Sequence, residues 1–412
     1  MLRRLPLLSI LVTLGLLAAR VLRAPVLTDP LGGRLPDGLR LDIPVLHLIL
    51  SPLFDLWDGV SLLSMTRLKG FLAGLVLLFI VWRAVAAYRR RSFDPDAGPP
   101  IGLVREIGAL VLGLVILLAF VAGGMLWHRP MVSLRGLPPT MITADFHSHT
   151  SASHDVGGSL MRWYDAEANR RWHRGGGFDL AFITDHNTTR GFPTTWAQNG
   201  STLLCPGIEV SAWRAHIVLL GVSQEIDRSP YSDSLGGVLQ LLHESTSRYR
   251  GLAIASLPEY DRNHWANLRA LVEAGVGGFE ILNGSPKAGE FSEVRRDSII
   301  ALAREHDLLL VAVTDSHGWG ATVLGWNLMR VPQWQPDGLR GCEALLRRLA
   351  SGGTAAVQIA ERHHLRGESW WPWILTPVGV VWETWRGMGA LQVVSWIVWI
   401  WMIGLVGAYR RA

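Results

Sequence analysis

The chain has 412 residues, 49% of them hydrophobic and only 18% charged, which is too apolar for an ordinary soluble protein and points to membrane spans. Its net charge of +5 is no nucleic-acid footprint, because the basic residues flank apolar runs or are scattered, without interleaved aromatics. The two cysteines, Cys205 and Cys342, have no metal-ligand spacing and exclude a cysteine-rich zinc site; they read as packed and inert, with a mutual disulfide as the alternative.

Residues 5–22 follow Arg3 and Arg4 and are apolar apart from Arg20, as in a first span or a signal peptide. Residues 43–54 are apolar but short, and Asp55 and Asp58 follow them. Residues 71–88 and 107–127 are long enough to cross a hydrocarbon core of about 30 Å at about 1.5 Å per residue. The polar stretch 89–100 links them. Near the C-terminus, 370–382 is short and interrupted by Pro372 and Pro377, whereas 387–409 is an uncharged candidate span. Many of the tryptophans fall within 370–401, as an interfacial aromatic belt would have it. The two short stretches read as interfacial or re-entrant pieces. Arginines at 3–4, 83, 89–91 and 410–411 set the orientation. Four spans satisfy them together and put 139–365 outside the cytoplasm, in the periplasm or cell exterior, on a protein of the cytoplasmic membrane. The chain thus divides into an N-terminal membrane region (1–138, about three spans), a central domain (139–365) and a Trp-rich segment with a last helix (366–412).

Within the central domain one rhythm recurs. Short apolar runs end in polar clusters: 141–146 meets His147 and His149, 179–184 meets Asp185, His186 and Asn187, and 203–208 meets Glu209. Gly278 and Phe279 precede Glu280, and 308–314 runs into Asp315 and His317. Such runs fit strands buried on both faces. Helical spacing over 160–171, 235–250, 265–274, 291–306 and 339–350 separates them. Alternation of this kind predicts a parallel sheet, and ligand-type residues at strand C-terminal ends predict a barrel. His216 precedes its apolar run and stands outside that rule.

Neutral imidazole and carboxylate are the ligands that borderline divalent metals prefer. His147, His149, His154, His186, His216 and His317, with Glu209 and Asp315, are the candidate set. His147 and His149, two apart on a strand, share a face and can reach one ion. His173, His243, His306, His363 and His364 lack such context and read as surface or packing residues.

The run Asp145-Phe-His-Ser-His-Thr-Ser-Ala-Ser-His154, then Thr184-Asp-His-Asn187, Pro206-Gly-Ile-Glu209 and Thr314-Asp-Ser-His317, resembles the PHP family, named for polymerase and histidinol phosphatase. The resemblance covers about half the chain and none of the membrane segments. It implies an α/β fold, a distorted (β/α)7 barrel here joined to about four transmembrane helices, with two or three divalent metal ions such as zinc, manganese or iron. By position, His147, His149, Glu209 and Asp315 would form one site, and His154, His186 and His317 another. Glu209 and His216 would contribute to a third. Its further histidine, expected in an Ala-His-Pro-like motif, is replaced by Leu257 in Ala255-Ser-Leu-Pro258, with His264 nearby as a substitute. Glu280-Ile-Leu-Asn283 would support the ligands or the fold.

The implied activity is hydrolysis of phosphate mono- or diesters by a metal-activated water. Glu209 is the expected bridge between ions. Asp185 would orient a ligand histidine or cap a helix, and Arg190, Arg214 and Arg262 read as surface residues. Two other readings stand beside it: a hydrolase of carbamate or other carboxyl-type esters on the same metals, and a decayed metal-binding sensory ectodomain. The expected partners are the lipid bilayer and a phosphoester substrate, with no nucleic acid; the oligomeric state is left open.

Overall fold

A computed structural model describes residues 7–93, 103–192, 202–332, 334 and 338–409. Arg3, Arg4, Arg410, Arg411 and most of the 89–100 linker lie outside the described residues. In chain order the first elements are α1 (Leu7–Val21), β1 (Leu27–Thr28), β2 (Arg40–Asp42), α2 (Val45–Ile49), α3 (Ser51–Ser61), α4 (Met65–Phe93), α5 (Leu103–Leu126) and β3 (Ser133–Arg135). Then follow β4 (Met141–Asp145), α6 (His154–Gly157), α7 (Ala166–Gly176), β5 (Leu180–Ile183), β6 (Leu203–Ala212), β7 (Ala215–Leu220), α8 (Leu235–Ser247), β8 (Leu252–Ala255), α9 (Leu257–Asn263) and α10 (Leu268–Glu273). The chain ends with β9 (Gly278–Asn283), α11 (Glu293–Glu305), β10 (Leu309–Val313), β11 (Gly325–Arg330), α12 (Gly338–Gly352), β12 (Gln358–Arg362), α13 (Thr376–Gly387) and α14 (Ala390–Tyr409).

Ten strands form one sheet in the order β1-β12-β11-β4-β5-β6-β7-β8-β9-β10, and β2 pairs with β3 separately. β4, β5 and β6 run parallel, as do β8, β9 and β10, while β7 is antiparallel to both its neighbours. Every residue of β5, β9 and β10 is buried, which is why these strands read as unbroken apolar runs. The sheet curls until β10 returns to β4. Ser148 bridges Ser316 just beyond the two strands. The Asn327 side chain on β11 accepts from Ala312 N (2.8 Å) and donates to Ala312 O and to Ala144 O, stitching β10 and β4 together. Asp145 at the end of β4 accepts from Thr314 N and from the Thr314 hydroxyl at the end of β10.

The expected strands and helices form with small shifts. The helix expected over 160–171 starts later, because Asp165 caps α7 through Ala168 N and 158–164 turn back after the short α6, closed by Ser151 N to Tyr164 O. Cys205 on β6 and Cys342 on α12 form a disulfide, so the alternative to two inert thiols is the one adopted.

Among the described residues, three helical stretches are long and apolar enough to cross a membrane: Met65–Tyr88, Glu106–Leu126 and Ala390–Tyr409. The fourth expected span contains α1, described over Leu7–Val21, whose Leu16 packs with Val393 and Trp396 of α14. The two doubtful stretches are short helices, α2 with α3 and α13, lying between the sheet and the long helices. Asp55 accepts from Gln392 Nε2 (2.7 Å) and Trp396 Nε1 (2.9 Å), tying α3 to α14. Asp58 pairs with Arg129 and Arg362, so both carboxylates that broke the apolar run are buried and partnered. A Cβ at Gly70 would lie 2.4 Å from Trp373 O, so only glycine lets α4 approach the turn before α13 this closely. α4 leaves from the sheet region at Met65, whose N–H donates to Pro286 O, and α5 returns to it, with Met125 beside Gly320.

Candidate metal centre

The strand ends converge on one rim. His147 and His149 follow β4, Asp185 and His186 follow β5, Glu209 lies in β6, and Asp315 and His317 follow β10. His216 reaches the same rim because β7 runs antiparallel to β6. Its N-terminal end, where His216 pairs with Ser211, therefore meets the C-terminal end of β6. Asn187 (φ 54°) and Asp315 (φ 46°) hold left-handed backbone beside the cluster, the kind of local strain that functional sites retain.

Among the described residues, three overlapping groups could hold metal ions: His147 with His149 and Asp315; His149 with Asp155, His186 and His317; and His186 with Glu209 and His216. Glu209 sits among them. Its Oε2 lies 3.1 Å from His147 Nε2, 3.4 Å from His149 Nε2 and 3.0 Å from His186 Nδ1, and its Oε1 is 3.0 Å from His216 Nδ1. Asp315 Oδ1 is 3.1 Å from His149 Nε2, and Asp155 Oδ2 is 2.8 Å from His317 Nε2 and 3.3 Å from His186 Nε2. Separations of 2.8–3.4 Å bring these donor atoms close enough to share ions at bonds of about 2.0–2.1 Å.

Two further observations fit a cation. His147 Nε2 and His149 Nε2 face each other at 3.0 Å, although two neutral imidazoles gain little from that approach without something between them. Glu209, Asp155 and Asp315 find their ion-pair partners in histidines alone among the described residues. Burial would raise the Glu209 carboxyl, yet the imidazoles of His147 and His186 hold it well below its usual range. Burial would lower His317, but the carboxylates of Asp315 and Asp155 lift it to about 9. Burial and the neighbouring His317 and His186 push His149 down to about 4, leaving a neutral ring suited to ligation.

Supporting contacts are equally specific. Glu280 Oε1 lies 2.7 Å from His147 Nδ1, while its Oε2 accepts from Leu257 N and Asn283 Nδ2. Asp145 holds the buried His173 at 2.8 Å, so His173 is a paired residue beneath the site rather than a surface one. Asp185 accepts from Thr150 N and Oγ1 (2.7 Å) and thereby fixes the turn after His149; it bonds no ligand histidine, and burial raises it to about 6.

Several expectations shift. His154 is exposed and offers no atom to any group; Asp155, one residue on, takes that place through Oδ2. His264 is buried with Nε2 on Trp213 O (3.1 Å) and stays outside the groups, so it does not substitute at Leu257. Arg190, Arg214 and Arg262 are exposed, as expected. Lys287, one of two lysines in the chain, lines the same cavity as the cluster and carried no sequence signal.

No family model matches the chain, and no curated protein matches it. Among solved structures, one that it resembles is a Bifidobacterium adolescentis protein provisionally assigned as a metal-dependent phosphoesterase, at 16% identity over 43% of this chain and 88% of that one, TM-score 0.31. PsfC from Pseudomonas syringae matches at 13% identity over 59% of this chain and 96% of its own, TM-score 0.32. An amidohydrolase from Chromobacterium violaceum, with bound sulfate and no metal, matches at 16% over 49% and 96%, TM-score 0.28. Scores this low leave the chemistry to rest on the side chains of this chain.

Proposed function

We propose that this chain is a membrane-anchored, metal-dependent phosphoesterase with a PHP-type barrel. On this reading β4–β10 are its seven strands, 139–365 is the hydrolase unit, and 1–138 and 366–412 are the membrane regions. The observation that carries the reading is Glu209. One buried carboxylate within 3.4 Å of four histidines is what a cluster of several ions, rather than one, requires. Divalent ions held there would acidify water and neutralise phosphoryl oxygens as charge builds up in the transition state.

The residues divide the remaining work. His147, His149 and Asp315 would hold one ion, Asp155, His186 and His317 a second, and Glu209 with His216 would extend the set. Glu280 orients His147 through Nδ1, and Asp185 positions the 149–150 turn. Lys287 supplies a further cation to the cavity wall, which favours an anionic phosphoester over a neutral ester. The unit is proposed to face the periplasm or cell exterior. A disulfide fits an oxidising compartment, and the 89–91 arginines stand in sequence between the two candidate spans Met65–Tyr88 and Glu106–Leu126.

The test is turnover of p-nitrophenyl phosphate, bis-p-nitrophenyl phosphate and an aryl carbamate by the full-length protein in detergent, with manganese, zinc or iron. The expected result is metal-dependent release of nitrophenol from a phosphoester that His149→Ala abolishes. Carbamate cleavage without phosphoester cleavage would replace the proposal with the carboxyl-ester reading. Tight metal binding without any turnover would leave a metal-binding ectodomain.

A further inference from the structure

The histidine–carboxylate cluster does not open on a purely polar cleft. One cavity of about 570 Å³ has Asp155, His186, Glu209, His216, Asp315 and His317 on one wall. Its other wall is made by α3, α4 and α5, through apolar residues such as Val60, Leu68, Val121 and Met125, with Leu63 in the turn between α3 and α4. Two of those helices are long and apolar enough to cross a membrane. A soluble phosphoester would leave such a wall wetted and unused.

The apolar wall also continues. From Leu68, steps of four residues along α4 reach Leu72 and Val76, exposed by 45% and 58%. From Met125, the same face of α5 runs through Val121 and Leu118 to Leu114, exposed by 38%, 36%, 58% and 54%. Eleven residues of helix cover roughly 16 Å at about 1.5 Å each, close to half of a hydrocarbon core of about 30 Å. Lys287 lines the cavity between the ligands and the start of α4, where the Pro286 carbonyl receives Met65 N.

We propose that the substrate is a lipid phosphoester drawn from the bilayer that holds the chain. Its phosphate lies against the histidine–carboxylate cluster and Lys287, and its hydrocarbon tail follows the track on α4 and α5. This rests on the phosphoesterase reading and adds the substrate class. In the reaction, a water oxygen bonds to phosphorus and the P–O bond to the leaving alcohol breaks. One proton passes to the alcohol, and the phosphate keeps the tail or loses it according to which ester bond is cut.

The experiment uses the full-length, metal-loaded protein in detergent and a series of methyl, octyl and hexadecyl p-nitrophenyl phosphodiesters, which share one leaving group. KM is expected to fall by about tenfold or more from methyl to hexadecyl, since each buried methylene contributes to binding. Leu68→Asp and Met125→Asp are expected to flatten the series. Met125→Trp, which fills the track without a charge, is expected to do the same if the aspartates fail to fold. A flat series in the wild type overturns the proposal. So does a chain-length preference that the folded variants retain, because that is partition into micelles. If no ester is cleaved, the phosphoesterase reading fails by itself, and binding decides the tail track. Hexadecylphosphonate but not methylphosphonate should then perturb the electron paramagnetic resonance spectrum of the manganese-loaded wild type, and not of Met125→Trp. Equal effects of the two phosphonates would overturn it.

Discussion

A histidine that ligates through one ring nitrogen is oriented by what its other nitrogen meets, and for His147 that partner is the fully buried Glu280. Glu280→Gln keeps the shape and loses the charge. It is expected to weaken metal affinity by about 10–100-fold, read by chelator competition; unchanged affinity would remove Glu280 from this role. A second residue-scale prediction concerns His364. Burial disfavours its charged form and holds it near 4, against an ordinary value of 6.5, although Nδ1 can donate to Arg362 O. The unfolded chain therefore binds the proton more readily than the folded one. Its contribution to stability is present above pH 6.5 and is lost as pH falls toward about 4. Thermal midpoints across that window should fall less steeply in His364→Gln than in the wild type; parallel slopes would contradict this. At this scale much of the site was legible, because histidines and carboxylates recur after apolar runs. What was hidden follows from geometry that sequence does not carry. His154 and Asp155 are adjacent, and only the start of α6 decides which of them faces the cluster. Lys287 stands alone in sequence and gains meaning from what the curled sheet brings beside it, and Glu280, expected to support the site, gains its partner His147 only there.

The elements that hold the site are fixed from outside as well as within. Cys205 and Glu209 lie four residues apart on β6, so the bridge to Cys342 anchors the strand that bears the central carboxylate. Removing it with Cys342→Ala is expected to cost roughly 2–5 kcal/mol of stability, seen as a lower unfolding midpoint. An unchanged midpoint in oxidising and reducing buffer alike would show that the bridge does not form. α5 depends on Gly124, where a Cβ would fall 2.1 Å from the Trp57 ring of α3. Gly124→Leu should push α5 off α3, disturb the cavity wall and raise KM for the favoured ester; an unaltered KM would mean that this helix contact does not shape the site. β4, β5, β6, β9 and β10 were readable because both their faces are buried. β11, β12 and β1 were not. They form an antiparallel extension at the sheet edge, and β1 is only two residues long, too short for a hydropathy pattern. The long helices were legible from length and apolarity alone.

In the whole molecule, a histidine-rich rim and an apolar helical region share one cavity, and the helices lead away from the sheet. If the hydrolase unit faces outward, Asp233→Cys on its exposed surface should react with a membrane-impermeant maleimide in intact cells; reaction only after lysis would reverse the orientation. The alternation of strands and helices showed an α/β unit between apolar segments, but how those segments wall the site depends on contacts between residues far apart in the chain, such as Trp57 with Gly320 and Gly124. The central claim is that the rim holds several metal ions around Glu209. Elemental analysis of metal per chain in the full-length protein, purified without chelators, tests it most directly, with Glu209→Gln beside it. The account predicts at least two equivalents of a divalent transition metal in the wild type and a clear loss in the variant. Folded wild-type protein that retains less than one equivalent after supply with manganese, zinc and iron would contradict it.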